Sequence, residues 1–198
     1  MPGTAFRTVA LEDAPELLAI YSYYVQKTAI TFEWETPSLE EFERRISATL
    51  ERYPYIVVLL DGKITGYAYV GPFHARRAYD WAVETSIYLD CTARGRGLGK
   101  SLYQKLEEIL RRMGILNMYA CVASPKKDGP YLTSASEGFH ARLGFRTVGR
   151  FNECGFKFNE WFDMVWMEKT LGPHIARPQD VIPFPELRPA LAGTLLLS

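Results

Sequence analysis

The 198-residue sequence has few cysteines, no net charge and no long hydrophobic segment. Its three cysteines, Cys91, Cys121 and Cys154, are odd in number and far apart. This argues against a disulfide framework or a zinc site and favours a cytoplasmic protein. Lysine plus arginine and aspartate plus glutamate each total 23, which disfavours a general nucleic-acid-binding or membrane-surface protein. The longest late apolar run, residues 191–197, is too short to span a bilayer, so a soluble protein is expected.

The composition and the N-terminus favour an ordinary globular protein. Hydrophobic residues make up 47% of the chain, which suits one domain with a substantial core. The N-terminal segment lacks the apolar stretch of a signal peptide. We therefore expect a single domain and no membrane partner.

The most informative segment, residues 83–110, reads as a strand, a basic glycine-rich turn and a helix. Apolar residues alternate over residues 83–89, which predicts a strand, because successive strand side chains point to opposite faces. Apolar residues then recur every three or four positions between Leu98 and Met113, as on one face of a helix, and Gly114 ends that helix. Residues 94–101 combine three glycines, three basic side chains and the free N–H groups of a helix start. They predict a phosphate-binding site.

Three phosphate-binding motifs compete for this turn. The P-loop motif, G-x-x-x-x-G-K-[ST], matches residues 99–101 at its end but needs glycine where Arg94 stands. A dinucleotide-binding motif, G-x-G-x-x-G, begins at Gly95 but needs glycine in place of Lys100. The pattern that fits is R-x-x-G-x-G, from Arg94 to Gly99. It resembles the acetyl-CoA pyrophosphate loop of the GNAT (Gcn5-related) N-acetyltransferases.

Longer segments make the resemblance more specific. Residues 71–90, 98–103, 139–145 and 155–169 are similar to the matching stretches of phosphinothricin and methionine sulfone acetyltransferases. The likeness runs over residues 7–169 or so. It implies a mixed α/β GNAT fold, with a largely antiparallel central sheet and flanking helices. Residues 1–172 are expected to form the acetyltransferase domain.

The apolar patterns predict the element order β, α, α, β, β, β, α, β, α, β, β, which matches the GNAT order. The Asp61-Gly62 pair between two apolar runs indicates a hairpin. A further strand at residues 117–122 is expected to lie parallel to the strand at residues 83–89. The result is a largely antiparallel sheet with one parallel pair.

Local sequence signals predict where two helices begin and what conformation the C-terminal tail adopts. Ser38 with Glu41, and Ser134 with Glu137, predict capping boxes at the second and fourth helices. Residues 173–198 are rich in proline, which fixes φ and removes hydrogen-bond donors. They are predicted to form an extended tail without a further element.

Acetyl transfer to an amine needs a group that accepts the ammonium proton before or during attack on the thioester. Glu84 is the best candidate, because it lies on the strand that leads into the phosphate loop, ten residues before Arg94. That separation spans roughly 30 Å at most, and a turn shortens it towards the length of a pantetheine arm. A surface glutamate on a half-buried strand fits the same pattern. The resemblance favours catalysis, since the family's catalytic glutamate aligns with Glu84.

For the leaving thiolate, many GNAT enzymes carry a tyrosine on the fourth helix, where this sequence has His140. The resemblance implies that His140 is the acid, although a lone histidine beside apolar residues is more often structural. Thr133 stands where relatives commonly carry asparagine, and the preceding connection is longer than usual. Ser136 is a candidate substitute for that polar contact to pantetheine.

The resemblance implies acetyl-CoA as cosubstrate and no metal. The residues expected to contact acetyl-CoA are Ser86, Ile87, Tyr88, Leu89, Arg94, Gly95, Arg96, Gly97, Leu98, Gly99, Lys100, Ser101 and Ser136.

Acceptor recognition is predicted around residues 73–81. Arg76 and Arg77 are candidates to bind an amino-acid carboxylate, because arginine pairs with carboxylates through two hydrogen bonds. By resemblance, Arg76 and Tyr79 match acceptor-site residues. Lys157 is a candidate for additional positive charge. The candidates for aromatic walls are Phe32, Phe73, Trp81 and Trp161.

Together these features predict an N-acetyltransferase that acts by direct attack on acetyl-CoA. The expected acceptor is the α-amino group of a small amino-acid-like molecule such as phosphinothricin, methionine sulfone or methionine sulfoximine. Polyamine, aminoglycoside and peptide N-terminal acceptors are alternatives, and a non-catalytic CoA-binding sensor or a nucleotide-binding module using Lys100 are alternatives of other classes. A homodimer is expected, with interface residues drawn partly from residues 173–189.

Overall fold

A computed structural model describes residues 3–193 of the chain. Within this range, seven strands form one sheet and five α-helices flank it. The strands are β1 Thr4–Thr8, β2 Tyr55–Leu60, β3 Lys63–Pro72, β4 Ala82–Leu89, β5 Asn117–Ser124, β6 Arg146–Lys157 and β7 Glu160–Thr170. The helices are α1 Ala14–Lys27, α2 Leu39–Leu50, α3 Leu98–Met113, α4 Ala135–Arg142 and α5 Phe184–Leu191. The predicted order is confirmed, with α5 added at its end.

The sheet has the order β1-β2-β3-β4-β5-β7-β6, and each neighbouring pair is antiparallel except β4 with β5. The predicted mixed α/β fold with a largely antiparallel sheet is therefore confirmed. The parallel ladder is short: it runs from the Ala82–Asn117 pair to the Glu84–Tyr119 pair, although each strand has eight residues. Beyond Glu84 the two strands separate and leave a wedge open between them.

The two faces of the sheet are covered by different helices. On one face, buried residues of α3 such as Leu102 and Leu106 pack against Val83 of β4. On the other face, Leu17 of α1 and Ile46 of α2 belong to the cluster that buries β2 and β3. The alternation along β4 follows from this arrangement, because a strand presents every second side chain to each layer. Among the described residues, no helix is long and apolar enough to cross a bilayer.

One predicted capping box is half formed and the other is wrong. The Ser38 hydroxyl accepts from the Glu41 amide at 3.1 Å, but the Glu41 carboxylate binds the two arginines that follow it on α2. Ser134 precedes α4 without a side-chain cap. The carboxylate of Glu137 instead accepts a hydrogen bond from Ser124 at 3.1 Å, because the end of β5 lies beside α4.

The expectation of a wholly extended tail is wrong for α5. Phe184 and Leu191 are 1% and 0% exposed and complete the core beneath α3. Upstream of the helix, the Trp81 indole donates to the Gln179 carbonyl at 2.7 Å. Pro185 falls in the first turn, where its missing N–H has no intrahelical role, whereas Pro189 lies inside the helix and removes one donor from it. The division of the chain at residue 172 stays a prediction, and residues 194–198 lie outside the described range.

Candidate active site

The wedge between β4 and β5 holds a cavity of about 60 Å³. Residues 85–88 of β4 and 120–123 of β5 line it, together with Tyr103 of α3 and His140 of α4. Backbone N–H and C=O groups on the separated inner edges have lost the strand partner that the parallel ladder would supply. They are therefore placed to hydrogen-bond a ligand that enters the wedge.

A second cleft continues the wedge cavity towards the basic loop. Ile30, Ile87 and Ser136 line both spaces, and the outer cleft extends to Thr133 and Arg94. The two spaces thus form a channel from the interior of the sheet to the glycine-rich turn. This shape suits a long ligand with phosphates at one end and a reactive group at the other.

The loop itself has the geometry of an anion site. Gly97 precedes α3 in the left-handed conformation, with φ of 74°, which glycine adopts without steric strain. The free N–H groups of the first helical turn and three exposed basic side chains, Arg94, Arg96 and Lys100, lie at the same end of α3. The Ser101 hydroxyl is within hydrogen-bonding distance of the Gly97 carbonyl, at 3.3 Å.

The structure gives a reason for glycine at position 99 that the sequence pattern did not reveal. A Cβ atom at this position would lie 3.2 Å from Cζ of Phe139 on α4. Glycine therefore lets α3 approach α4 closely. The close approach that Gly99 allows is between two helices, in addition to any contact with a ligand.

Tyr24 of α1 supports the junction between β4 and the loop. Its hydroxyl donates to the Leu89 carbonyl at 2.5 Å and accepts from the Leu89 amide at 3.1 Å. The Arg94 guanidinium lies 5.2 Å from the centre of the Tyr24 ring and 5.6 Å from that of Tyr23. Tyr24 therefore fixes both the strand end and the predicted phosphate-binding arginine.

Glu84 lies at the point where β4 and β5 part, in register with Tyr119. Its half-buried side chain is on the face opposite Val83. Burial raises the pKa of the Glu84 carboxyl, and the nearby charge of His74 lowers it in part. A carboxylate with a raised pKa is a stronger base, so this environment suits proton abstraction.

Aromatic side chains cluster beside Glu84. The Phe73 ring stacks on Tyr119 with centroids 4.3 Å apart and meets Tyr79 at 5.8 Å and Trp166 at 5.7 Å. The structure thus brings the predicted acceptor residues Phe73 and Tyr79 next to the candidate base. Arg76 is exposed and immediately precedes the short 3₁₀ turn Arg77–Tyr79.

Two other aromatic candidates, Phe32 and Trp161, lie apart from this cluster. Phe32 packs on Phe162 at 6.3 Å and passes over Gly155, where a Cβ atom would lie 2.1 Å from the Phe32 ring. Trp161 is exposed and contacts Phe156 at 5.0 Å. Trp81 anchors the tail as described above and also lines a surface pocket together with Phe73 and Tyr79.

The suggestion that Lys157 adds charge for the acceptor is wrong. The side chain is 3% exposed, and its ammonium donates to the carbonyls of Thr28 and Thr31 at 2.9 and 2.8 Å. Burial lowers the Lys157 pKa, while Glu33 raises it in part. Lys157 ties β6 to the loop after α1, because a buried ammonium needs such acceptors.

His140 is buried and bonded at both ring nitrogens. Nδ1 lies 2.8 Å from the Ser136 carbonyl, and Nε2 lies 2.8 Å from the Tyr103 hydroxyl. Burial lowers the His140 pKa, and the bond to Ser136 raises it in part. The structure therefore places His140 at the wedge cavity, while its role as an acid stays a prediction.

Tyr24, Tyr103 and Tyr119 were not among the predicted site residues. Tyr24 and Tyr103 fall on the apolar stripes of their helices, so their spacing indicates core packing. Tyr119 is marked only by its register opposite Glu84, which requires the sheet topology. Tyr103 lies in the segment 98–103 that carried the family resemblance, which is the one signal that pointed to it.

Comparison with known proteins identifies the family. Residues 6–166 match the acetyltransferase (GNAT) domain family. The chain is 38% identical over 178 residues to a phosphinothricin N-acetyltransferase of Streptomyces coelicolor, covering 86% of this chain and 100% of that protein. It is 32% identical over 180 residues to an L-methionine sulfoximine/L-methionine sulfone acetyltransferase of Pseudomonas aeruginosa, covering 89% and 99%.

A solved structure extends the similarity to three dimensions. The phosphinothricin acetyltransferase of Sinorhizobium meliloti, in complex with acetyl-CoA, has a TM-score of 0.82 and 33% identity, covering 92% of this chain and 97% of that one. Fold, site and relatives define an acetyl-CoA-dependent N-acetyltransferase. The chain belongs to the GNAT acetyltransferase family, which confirms the resemblance. Within residues 3–193, no group of three or more histidine, cysteine, aspartate or glutamate side chains is arranged to hold a metal ion.

Proposed function

We propose that this enzyme acetylates the α-amino group of a small amino-acid-like acceptor of the phosphinothricin, methionine sulfone or methionine sulfoximine type. The observation that carries the proposal is the position of Glu84 between the wedge and the Phe73 aromatic cluster. A base at this point reaches an amine that approaches from the cluster while the thioester lies in the wedge. The names of the relatives support the same acceptor class.

Acetyl-CoA is proposed to occupy the channel. Its pyrophosphate binds residues 94–101, and its pantetheine arm runs past Ser136 and along residues 86–88 of β4. Leu89 contributes its side chain, which lines the outer cleft, because Tyr24 already occupies its backbone groups. Thr133 and Ser136 both line that cleft and take the place of the usual asparagine.

In the proposed reaction, Glu84 takes a proton from the ammonium group, and the neutral amine attacks the thioester carbon. The C–S bond then breaks, its electrons leave on sulfur, and the nitrogen loses its remaining extra proton to water to give the amide. Attack is direct, without an acetylated enzyme. Cys121 lines the wedge, but burial and the charge of Glu84 raise its pKa to about 12, so its thiol is a poor nucleophile.

Acceptor binding is proposed to use charge and aromatic contact together. Arg76 binds the α-carboxylate, since it is exposed beside the cluster and arginine matches carboxylate geometry. Phe73 and Tyr79 pack against the acceptor side chain. A basic polyamine or aminoglycoside would be repelled by the exposed Arg76 and Arg77.

We also propose a cytoplasmic homodimer. The three cysteines are all free, which fits a reducing compartment. Phe151, Trp161 and Trp34 are 58%, 56% and 67% exposed, a degree of aromatic exposure that favours a protein interface. Because Phe184 and Leu191 are buried in their own domain, the interface is proposed to involve the β6–β7 hairpin more than the tail. Light scattering at tens of micromolar tests this proposal, and a monomer would contradict it.

An acetyl-CoA assay against a panel of amines tests the function. The panel contains phosphinothricin, methionine sulfone, methionine sulfoximine, a polyamine, an aminoglycoside and a short peptide. Free CoA release should be fastest with the amino-acid analogues. Turnover confined to the polyamine or aminoglycoside would contradict the proposed acceptor, and acetyl-CoA binding without turnover on any amine would indicate a sensor.

A further inference from the structure

Three polar side chains from three different elements meet at the wedge cavity. They are Thr85 of β4, Tyr103 of α3 and His140 of α4, which are 5%, 0% and 5% exposed. The Thr85 hydroxyl is buried without a hydrogen-bond partner in the described part of the chain. A buried hydroxyl left free beside a cavity is costly unless a ligand or another group supplies a partner.

The hydrogen bonds around His140 fix which atom carries each proton. The Ser136 carbonyl can only accept, so Nδ1 of His140 must be the donor in that 2.8 Å contact. In neutral histidine the other nitrogen, Nε2, is then an acceptor, and the Tyr103 hydroxyl donates to it at 2.8 Å. The neutral form is favoured because burial lowers the His140 pKa. His140 therefore has no N–H to offer to the cavity.

We propose that the Tyr103 hydroxyl is the hydrogen-bond donor to the leaving CoA thiolate, and that His140 positions that hydroxyl as a neutral acceptor. The inference rests on the proposed acetyl transfer, because it requires the thioester sulfur to lie in the wedge. It assigns a role to a residue of α3 that the reaction as described above does not use. His140 then acts through Tyr103 and is a positioning residue.

This arrangement favours the transition state over the bound substrate. A thioester sulfur is a weak acceptor, so the Tyr103 hydroxyl keeps donating to Nε2 of His140 while acetyl-CoA is intact. When negative charge develops on sulfur, a charge-assisted bond to it is stronger, and the hydroxyl turns towards sulfur. The free Thr85 hydroxyl is then available to donate to the phenol oxygen. An interaction that strengthens only as charge develops raises kcat without tightening substrate binding.

The proton stays on Tyr103 during this step. Burial raises the Tyr103 pKa, the nearby Thr85 hydroxyl lowers it in part, and Glu107, further along α3, raises it further. The other titratable groups that line the cavity are Cys121 and Tyr88. Burial raises the pKa of both, so neither adds an ionised group to the site near neutral pH. The thiolate is stabilised by a hydrogen bond and takes its proton from solvent after it leaves.

Steady-state kinetics of Tyr103→Phe test the proposal. We expect kcat to fall roughly 10²-fold, as for the loss of one donor to a developing anion, with the acetyl-CoA dissociation constant unchanged within about twofold. The matched control is Tyr67→Phe, which removes another buried tyrosine hydroxyl, one without a described hydrogen-bond partner in the core under α1 and α2. A native kcat in folded Tyr103→Phe would overturn the proposal.

His140→Gln separates positioning from acid catalysis. Glutamine cannot release a proton, but its side-chain oxygen can still accept from Tyr103. We expect a smaller loss of kcat in His140→Gln than in Tyr103→Phe. A larger loss in His140→Gln would assign the proton donor to His140 and overturn the proposal.

The thiol of bound CoA gives a test that needs no acceptor. An ordinary thiol has a pKa of about 8.5, and a donor at the sulfur lowers it. Ultraviolet absorption of the thiolate across a pH titration should show a lower pKa for CoA bound to the native enzyme than to Tyr103→Phe. Equal values would overturn the Tyr103 proposal. The titration can be read even if no amine in the panel is acetylated. Failure of the Tyr103 proposal is therefore distinguishable from failure of the proposed acetyl transfer.

Discussion

The Tyr24 hydroxyl hydrogen-bonds both backbone polar groups of Leu89, the last residue of β4. It donates to the carbonyl at 2.5 Å and accepts from the amide at 3.1 Å. Beyond Leu89 the chain enters the glycine-rich loop, and the Arg94 guanidinium lies over the same tyrosine ring. One residue of α1 thus connects the strand that carries Glu84 to the loop that is proposed to bind pyrophosphate.

Tyr24→Phe should therefore raise KM for acetyl-CoA roughly tenfold, with a much smaller change in kcat. The substitution leaves two partly buried backbone groups of Leu89 without their partner, a cost of about 1–3 kcal/mol, which loosens the junction next to Arg94. The measurement is initial rate against acetyl-CoA concentration. Tyr23→Phe is the matched control: it keeps a ring beside Arg94 and removes a hydroxyl without a described hydrogen bond. Equal KM values in the two variants would disprove this role for Tyr24.

Gly97→Ala should weaken acetyl-CoA binding by roughly tenfold. Alanine at a φ of 74° is strained by about 1–2 kcal/mol, so the loop is expected to shift where it meets the pyrophosphate. Calorimetric titration with acetyl-CoA measures the change. Gly62→Ala is the control, because Gly62 has a φ of 82° in the remote β2–β3 turn and its Cβ would meet nothing within 4 Å. If both variants bind acetyl-CoA like the native protein, the loop is not the pyrophosphate site.

Phe184→Ala should destabilise the protein by about 3–5 kcal/mol. Phe184 is 1% exposed in the core beneath α3, so truncation leaves a cavity there. Ile175→Ala in the same tail should change stability little, since Ile175 is 60% exposed. Urea denaturation of the two variants measures the difference. A native stability for Phe184→Ala would mean that α5 does not belong to the folded core.

The stability of the native protein should fall faster with acid than that of His140→Gln. The folded-state pKa of His140 is lowered by burial below its ordinary value of about 6.5, so the unfolded chain binds more protons there. This contribution is fully present above pH 6.5 and is lost as pH falls towards the folded-state pKa. Unfolding free energies at several pH values between 5 and 8 measure it. Parallel curves for the two proteins would contradict a buried neutral His140.

The sequence predicted the fold well because its signals are local. Alternation in β4, the apolar stripe of α3 and the glycine before that helix each lie within a few residues of chain. The same reasoning missed α5, since proline content does not distinguish an extended tail from a helix with Pro185 in its first turn. It also missed that the Glu137 carboxylate bonds Ser124, a partner from β5 and not from its own helix.

Candidate site residues could be named from the sequence where they follow the loop pattern or the family resemblance. Phe73 contacts Tyr79 and stacks on Tyr119, the register partner of Glu84. Lys157, in contrast, looked like an available charge and is buried against two carbonyls. The Tyr103–His140 bond joins residues 37 positions apart. Tyrosines on apolar helical stripes look like core in any sequence, so their role requires the packed structure.

Acetyl transfer with Glu84→Gln tests the central claim most directly. Glutamine keeps the shape and hydrogen-bonding capacity of Glu84 but cannot take the proton, so kcat should fall by roughly 10²- to 10⁴-fold with acetyl-CoA affinity nearly unchanged. In the native enzyme kcat/KM should rise with pH as base and amine lose protons. The rise in kcat/KM that reflects ionisation of Glu84 should occur at a higher pH than for an ordinary glutamate, since burial raises the Glu84 pKa. In the variant only the ionisation of the amine should remain. Native turnover by folded Glu84→Gln across pH 6 to 9 would contradict the mechanism.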